Sequence, residues 1–161
     1  MKLAPFALCA ALCVAPFALA QKLDLKFDAL AAHATDKVEL DLDSTMLRLF
    51  LRFGGDSNLP GGVRAVRVRH YAFDKTGGYS QKDLEPLRSQ ITGQPRWSRV
   101  VNTKEGESTT EIFAVADGDK LGVCLVVVAE PTELTVVYLE GTISLADLKG
   151  IGGNRFWRGF R

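Results

Sequence analysis

The stretch from Lys120 to Gly141 reads KLGVCLVVVAEPTELTVVYLEG, and it decides the fold. Its first half, 121–129, is apolar at almost every position, which is typical of a strand that is covered on both faces. Its second half, 133–141, is a further strand, and only Glu130 and the short link PT separate the two. Strands joined so closely pair antiparallel. We therefore predict that 121–129 lies at the centre of a sheet, with layers packed on both sides.

Two more strands lead into this hairpin. RWSRVVNT, at 96–103, and STTEIFAVAD, at 108–117, are separated by the polar turn KEGE. A two-residue turn that contains Gly118 then leads into the central strand, and such turns match the twist of paired strands. The four segments together predict an antiparallel meander.

Alternating patterns earlier in the chain predict further strands. In KVELDLD, at 37–43, apolar and acidic residues alternate, as expected of a half-buried strand. In VRAVRVRHYAF, at 63–73, alternate side chains likewise point to opposite faces. The sheet is therefore expected to have five or six strands.

Helical patterns separate these strands. Residues 21–36 place apolar side chains at helical spacing. STMLRLFLRF, at 44–53, follows a strand directly, and Ser44 is positioned to cap the helix by accepting a hydrogen bond from a free backbone N–H. Because only Arg48 and Arg52 interrupt its apolar surface, we expect the helix to be buried on almost all sides.

Two later helices complete the set. Residues 80–92 predict a helix that begins at Leu84 with Asp83 as its cap, so that Pro86 falls in the first turn, where proline is tolerated. The segment from Ser144 to Gly150 predicts a short last helix. The element order indicates an α+β fold: a mixed, mostly antiparallel sheet packed by three or four helices, in a single domain over 21–149.

The N-terminus has the features of an export signal. MKLAPFALCAALCVAPFALAQ has a basic start, an uncharged apolar stretch and the small residues ALA before Gln21. We expect residues 1–20 to be removed and the rest to be periplasmic or secreted. A lipoprotein is not predicted, because leucine, and not a small residue, precedes both Cys9 and Cys13.

Charge is balanced overall but divided into blocks. Residues 61–104 carry nine basic and three acidic side chains, whereas 105–148 carry one basic and nine acidic. Segments of opposite charge can pair across a sheet. Since an exported protein meets little nucleic acid, we interpret the basic block as a partner of the acidic one and expect no nucleic-acid binding.

Few residues suggest catalysis. Once residues 1–20 are removed, Cys124 is the only cysteine, and it lies in the apolar central strand, where a thiol usually behaves as a small hydrophobic group. His70, which is also on a predicted strand, is the only base that we pair with Cys124. The other histidine, His33, lies on the predicted first helix, far from His70 in sequence. The open alternatives are a buried thiol and a reactive one.

Ligand motifs are also sparse. The carboxylates of Glu39, Asp41 and Asp43 share one side of a predicted strand, where they form either a weak calcium site or a solvated face. The glycine-rich segments LPGG and IGGN lack the lysine and hydroxyl of a phosphate-binding loop. We therefore predict no cofactor and no metal site.

Two groups of residues are candidates for binding. The first is one face of the 63–73 strand, which we expect to point outward and which could contact a peptide, a glycan or a carboxylate. The alternative is an ion-paired face opposite acidic strands, with Glu111 as an example of a partner. The residues of this face are Arg67, Arg69, Tyr71 and Phe73.

The second candidate is the tail at 150–161, which combines glycines with basic and aromatic side chains. Such a tail suits a groove on a partner protein, or an anionic bilayer whose phosphates meet the guanidinium groups. The alternative is an idle terminus. The side chains in question are Arg155, Phe156, Trp157, Arg158, Phe160 and Arg161.

Several segments together resemble one bacterial exported family, the domain of unknown function 4252. They are the export signal, KVELDLDSTMLRLF, LPGGVRAVRVRHY and LVVVAEPTELTVVYLEGTISLADL, and the resemblance covers about residues 27–149. It implies an envelope protein whose genes lie near envelope-signalling functions. Many members resemble lipoproteins, from which this chain departs by lacking the acylated cysteine, and the family brings no catalytic residues with it.

These observations favour a non-enzymatic binding or interaction domain in the periplasm, with an unknown envelope protein as partner and a possible peripheral contact with an anionic membrane through the tail. The alternative is an envelope hydrolase or thiol-dependent enzyme with a site that the sequence does not reveal.

Overall fold

The computed structural model describes residues 23–52, 62–144 and 146. They form one six-stranded sheet in the order β1-β2-β6-β5-β4-β3. Every pairing between these strands is antiparallel, whereas the prediction was a mixed, mostly antiparallel sheet. The strands are β1 Asp36–Leu42, β2 Val63–Ala72, β3 Trp97–Glu105, β4 Ser108–Asp117, β5 Lys120–Ala129 and β6 Glu133–Ile143.

The described residues hold three α-helices, fewer than the upper figure of the prediction. They are α1 Asp28–His33, α2 Ser44–Arg52 and α3 Glu85–Thr92, and a 3-10 turn at Gln81–Leu84 leads directly into α3. The helix predicted at 144–150 lies almost wholly outside the described residues. The α+β class and the single domain are confirmed in this coarser form.

The predicted meander is confirmed. Strands β3 to β6 follow one another as antiparallel neighbours, and β5 and β6 lie at the centre of the sheet. At the β4–β5 turn Gly118 has a φ of 64°, a conformation that favours glycine and that the two-residue turn requires. The long apolar run is central because only there can both of its faces be covered.

One face of the sheet, here called the α3 face, is covered by α1, α3 and the segment 23–27. That segment was predicted to be helical but has no regular secondary structure, and it buries every second side chain: Leu23, Leu25 and Phe27. Leu87 and Ile91 of α3 pack into the same core. In the segment 23–27, apolar and charged residues alternate, and this pattern fits a period of two better than a helical period.

The opposite face, here called the α2 face, has a second core. Cys124 and Val126 of β5 and Val137 and Leu139 of β6 belong to it. Helix α2 packs over β1 and β2, and Leu47 is its one buried side chain. The central strands are therefore buried on both faces, as predicted.

The starts of the helices follow local hydrogen-bonding chemistry. Asp43, and not Ser44, caps α2: its Oδ1 accepts from the backbone N–H groups of Thr45 and Met46, both at 2.9 Å. Aspartate is the stronger acceptor, and the helix begins immediately after it.

The approach to α3 is capped one turn earlier than predicted. Ser80 and Asp83 form a capping box around the 3-10 turn, so Asp83 is the third residue of that turn and not the cap of α3. Helix α3 begins at Glu85, and Pro86 lies in its first turn as predicted.

Candidate functional site

The face of β2 that was predicted to point outward does not do so along its whole length. Tyr71 and Phe73 are buried in the core of the α3 face. The ring of Tyr71 meets Phe27 edge-on at 6.0 Å between centroids, and the ring of Phe73 stacks on Tyr79 at 5.2 Å. The prediction of an exposed Arg and aromatic surface at these positions is wrong, because α1 and the segment before it cover the aromatic end of the strand.

Arg69 is held in a bidentate ion pair with the neighbouring strand. Its Nη1 lies 2.7 Å from Asp41 Oδ1, and its Nη2 lies 3.0 Å from Asp41 Oδ2. The hydrogen bonds to Asp41 raise the pKa of Arg69. Nη1 also donates to the backbone carbonyls of Leu40 and Val68, so the guanidinium is anchored within the sheet.

The remaining polar groups of this face are paired in a similar way. The hydroxyl of Tyr71 donates to Glu39 at 2.9 Å, and burial followed by this contact raises the Tyr71 pKa. The guanidinium of Arg67 lies 5.1 Å from the ring centroid of Tyr138. Of the two readings left open by the sequence, the ion-paired face fits, with β1 supplying the acids in place of Glu111.

Glu111 serves the other half of the sheet. Its Oε2 accepts from Arg88 of α3, at 2.7 Å from Nη2 and 3.1 Å from Nε, and its Oε1 lies 3.5 Å from Arg99 of β3. Glu111 is buried, so the two arginines compensate the cost of removing its carboxylate from water. Glu111 and Arg88 therefore tie α3 to the sheet.

Cys124 is not arranged for nucleophilic catalysis. Its side chain is fully buried, and desolvation raises the pKa of the thiol to about 12. His70 lies on the same face but two strands away, at a different rung, and its Nδ1 is 2.9 Å from Thr135 Oγ1. The structure therefore does not bring together the one pair that the sequence offered.

The three carboxylates at 39–43 are each directed elsewhere. Glu39 binds Tyr71, Asp41 binds Arg69, and Asp43 caps α2. Hydrogen bonds from the N–H groups of Met46 and then Thr45 lower the pKa of Asp43. Within the described ranges, no three His, Cys, Asp or Glu residues come together in a way that could hold a metal ion.

Helix α2 exposes most of its apolar side chains, contrary to the prediction that it is buried on nearly all sides. The exposed fractions are 51% for Met46, 42% for Leu49, 40% for Phe50 and 39% for Leu51. We call these four residues the α2 surface. Among the described residues, the only other large apolar side chain this exposed is Val100 on β3.

The geometry of the helix explains this exposure. Leu47 points into the core, Leu51 lies on one side of it, and Phe50, Met46 and Leu49 form a stripe that runs round the helix on its other side. Arg48 and Arg52 form a polar stripe beside it. The apolar arc is wider than the sheet beneath can cover. No helix in the described part of the chain has the length and apolar composition to cross a membrane.

A signal for the α2 surface was present in the sequence. A nine-residue helix that directly follows a strand at the edge of a sheet contacts that sheet along one line, so an apolar arc as wide as that of α2 exceeds what one line can bury. The other candidates, Arg155, Phe156, Trp157, Arg158, Phe160 and Arg161, lie outside the described residues, as do residues 1–20.

Comparison with known proteins gives one match. The model of the family described as "Domain of unknown function (DUF4252)" matches residues 33–151, which confirms the resemblance expected from the sequence. The match includes all six strands, α2 and α3. No curated protein and no solved structure matches the chain.

Proposed function

The chain belongs to the DUF4252 family, and from that premise we propose that it is an exported, non-enzymatic interaction domain of the cell envelope that binds another envelope component through the α2 surface. The observation that carries the proposal is the exposure of Met46, Leu49, Phe50 and Leu51 on one short helix. Contiguous exposed apolar side chains with a polar rim typically mark interaction sites.

The composition of the α2 surface favours a protein partner. Methionine, phenylalanine and arginine are all enriched where proteins meet, and the α2 surface and its rim supply each of them. Burying the apolar stripe is favourable by roughly 25 cal/mol for each Å² removed from water. Arg48 and Arg52, at the rim, suit acidic groups on the partner.

The signal-like N-terminus supports an envelope location for this partner. The N-terminal segment 1–20 has the composition of a secretory signal, so the processed chain is proposed to act in the periplasm or outside the cell. The basic and aromatic tail at 150–161 is proposed as a second contact, with the same partner or with an anionic bilayer.

The test places a photocrosslinking amino acid at Leu49 in the full-length chain, expressed with its own export signal. We expect a discrete adduct in the envelope fraction from Leu49 and none from Glu107, an exposed residue of the β3–β4 turn used as control. Adding Met46→Gln and Phe50→Gln should abolish the adduct, because the apolar stripe is lost while Leu47 still anchors the helix. Identical adducts from both positions, or none, contradict the proposal.

A further inference from the structure

The two edges of the sheet differ in their ability to accept another strand. Each residue of β1, from Asp36 to Leu42, pairs in unbroken register with β2. At the other edge, β3 has an irregularity between Arg99 and Val101 that leaves Val100 without a cross-strand partner. Bulges of this kind discourage pairing at an edge. In the part of the chain that the structure describes, no strand lies outside β1.

The backbone of β1 has hydrogen-bonding groups directed away from β2. The N–H of Phe73 donates to the carbonyl of Thr132 at 2.9 Å, on the side of β6, and the carbonyl of Ala72 accepts from Thr35 at 2.8 Å, on the side of β1. Because these directions alternate along a strand, the backbone groups of even-numbered residues of β2 point toward β1. Even-numbered residues of β1 lie opposite them, so their own N–H and carbonyl groups point toward β2. The N–H and carbonyl groups of residues 37, 39 and 41 therefore face outward.

The side chains of β1 are complementary to a second β1. We propose that two copies of this chain pair through their β1 edges, antiparallel and about a two-fold axis, with Val38 opposite Val38. In this register Lys37 of each copy lies opposite Glu39 of the other. Lys37 is exposed and has no ion-pair partner among the residues described. A two-fold axis makes each favourable pair occur twice.

Charge selects this register among its neighbours. Moving the axis by one residue to Glu39 places Glu39 against itself and leaves Lys37 only Asp41, whose carboxylate already holds Arg69 in a bidentate pair. Moving it to Leu40 places Glu39 against Asp41. Like charges directly opposite one another destabilise a sheet. Only the register centred on Val38 joins Lys37 and Glu39 in both copies, and Glu39 has acceptor capacity beyond its bond to Tyr71.

Apolar burial acts in the same direction. Val38 and Leu40 lie on the α2 face and are only half-buried in the single chain. Pairing brings Val38 against its own copy at a non-hydrogen-bonded position, where side chains approach most closely. The proposed dimer uses the outer edge of β1, so it does not depend on the proposed binding function of the α2 surface.

Disulfide trapping tests the register directly. At a non-hydrogen-bonded antiparallel pair the Cα atoms are about 4.5 Å apart, which is within the range for a disulfide. The processed chain carrying Val38→Cys, exported from its own signal and purified under native conditions, should form a reducible dimer on mild oxidation. Val100→Cys, at the bulged β3 edge, should not exceed the parent chain, whose Cys124 is buried. Equal dimer from both variants, or none from Val38→Cys, overturns the proposal.

Charge exchange gives a second and independent test, with dimerisation measured by sedimentation equilibrium. The parent chain should approach twice its monomer mass as its concentration rises. Lys37→Glu and Glu39→Lys should each raise the dimer Kd by about tenfold, because two opposed pairs become repulsive in each dimer. The double variant should recover the parent Kd, and Lys104→Glu on β3 should have no effect. A monomeric parent, or a double variant that stays as weak as the single ones, refutes the pairing.

Discussion

Helices α2 and α3 are of nearly equal length, nine and eight residues, yet they meet the sheet in opposite ways. Helix α3 buries Leu87 and Ile91 and is tied to β4 by the ion pair of Arg88 with Glu111. Helix α2 buries Leu47 alone and exposes the α2 surface. A helix that gives its apolar side chains to the core stabilises the fold, whereas one that keeps them exposed has apolar area left for binding. We therefore expect substitutions in α3 to affect the stability of the fold more than substitutions on the α2 surface, which we propose as the interaction site.

The largest expected effect concerns the rate at which Cys124 is alkylated. This rate shows whether the core of the α2 face excludes reagents from β5, although most of α2 itself is exposed. With a thiol pKa of about 12, only about one thiol in ten thousand is ionised at pH 8. Burial also blocks access. Alkylation of the native, processed chain by iodoacetamide at pH 8 should therefore be at least about a thousandfold slower than in denaturant.

Mass spectrometry of the alkylated protein over time provides the measurement, and the denatured chain is the control. Rapid labelling of native Cys124 would show that the second core opens readily. In that case reagents would reach the whole core of the α2 face. The difference in burial would then separate the two faces of the sheet, and not only the two helices.

A matched pair of substitutions compares the helices directly. Leu87→Ala should lower the free energy of unfolding by about 3 kcal/mol, because it leaves a cavity in a packed core. Leu49→Ala should change it by less than about 0.5 kcal/mol, since Leu49 is exposed and alanine favours helix. Urea unfolding followed by circular dichroism measures both. A loss at Leu49 as large as that at Leu87 would show that α2 is a structural helix.

The strands were the most predictable part of this fold. The apolar run of β5 can be satisfied only at the centre of a sheet, and the short links from β3 to β6 leave little choice of partner. Both features are local in sequence, so the meander follows without knowledge of the tertiary contacts. The segment 23–27 was misassigned because LDLKF fits both a helical period and a period of two over so few residues.

The candidate site was less predictable, because burial depends on what covers each face. Alternation correctly places Arg69 and Tyr71 on one side of β2, but it does not say that Phe27 packs against Tyr71 and that β1 supplies Asp41. For α2, composition indicated a buried helix, whereas its position at the sheet edge left only Leu47 with a core to enter. Cover is a tertiary property, and local periodicity does not determine it.

The ion pair between α3 and the sheet gives a smaller expected effect. Arg88→Met should lower the free energy of unfolding by about 2 kcal/mol, because buried Glu111 would keep only the more distant Arg99. Glu85→Gln removes an exposed partner of Arg88 and should cost less than about 0.5 kcal/mol. Urea unfolding of both variants measures the difference. Equal losses would place the anchoring of α3 in its apolar contacts alone.

The smallest expected effect concerns the start of α2, where Asp43 caps the helix. Its folded-state pKa is lowered by the N–H groups of Met46 and Thr45, so the carboxylate form stabilises the folded chain. This contribution is fully present above the unfolded pKa of about 4 and is lost as the pH falls through the lower, folded value. Asp43→Asn should therefore flatten the fall in Tm of the parent chain below pH 4, and Asp43→Ala should lower Tm slightly at pH 7 as well. Thermal unfolding from pH 2 to pH 7 tests this, with Asp74→Asn, in an exposed loop, as control. An Asp43→Asn profile that parallels the parent at every pH would mean that the charge of Asp43 adds nothing to the helix, and the presentation of the α2 surface would then depend on Leu47 alone.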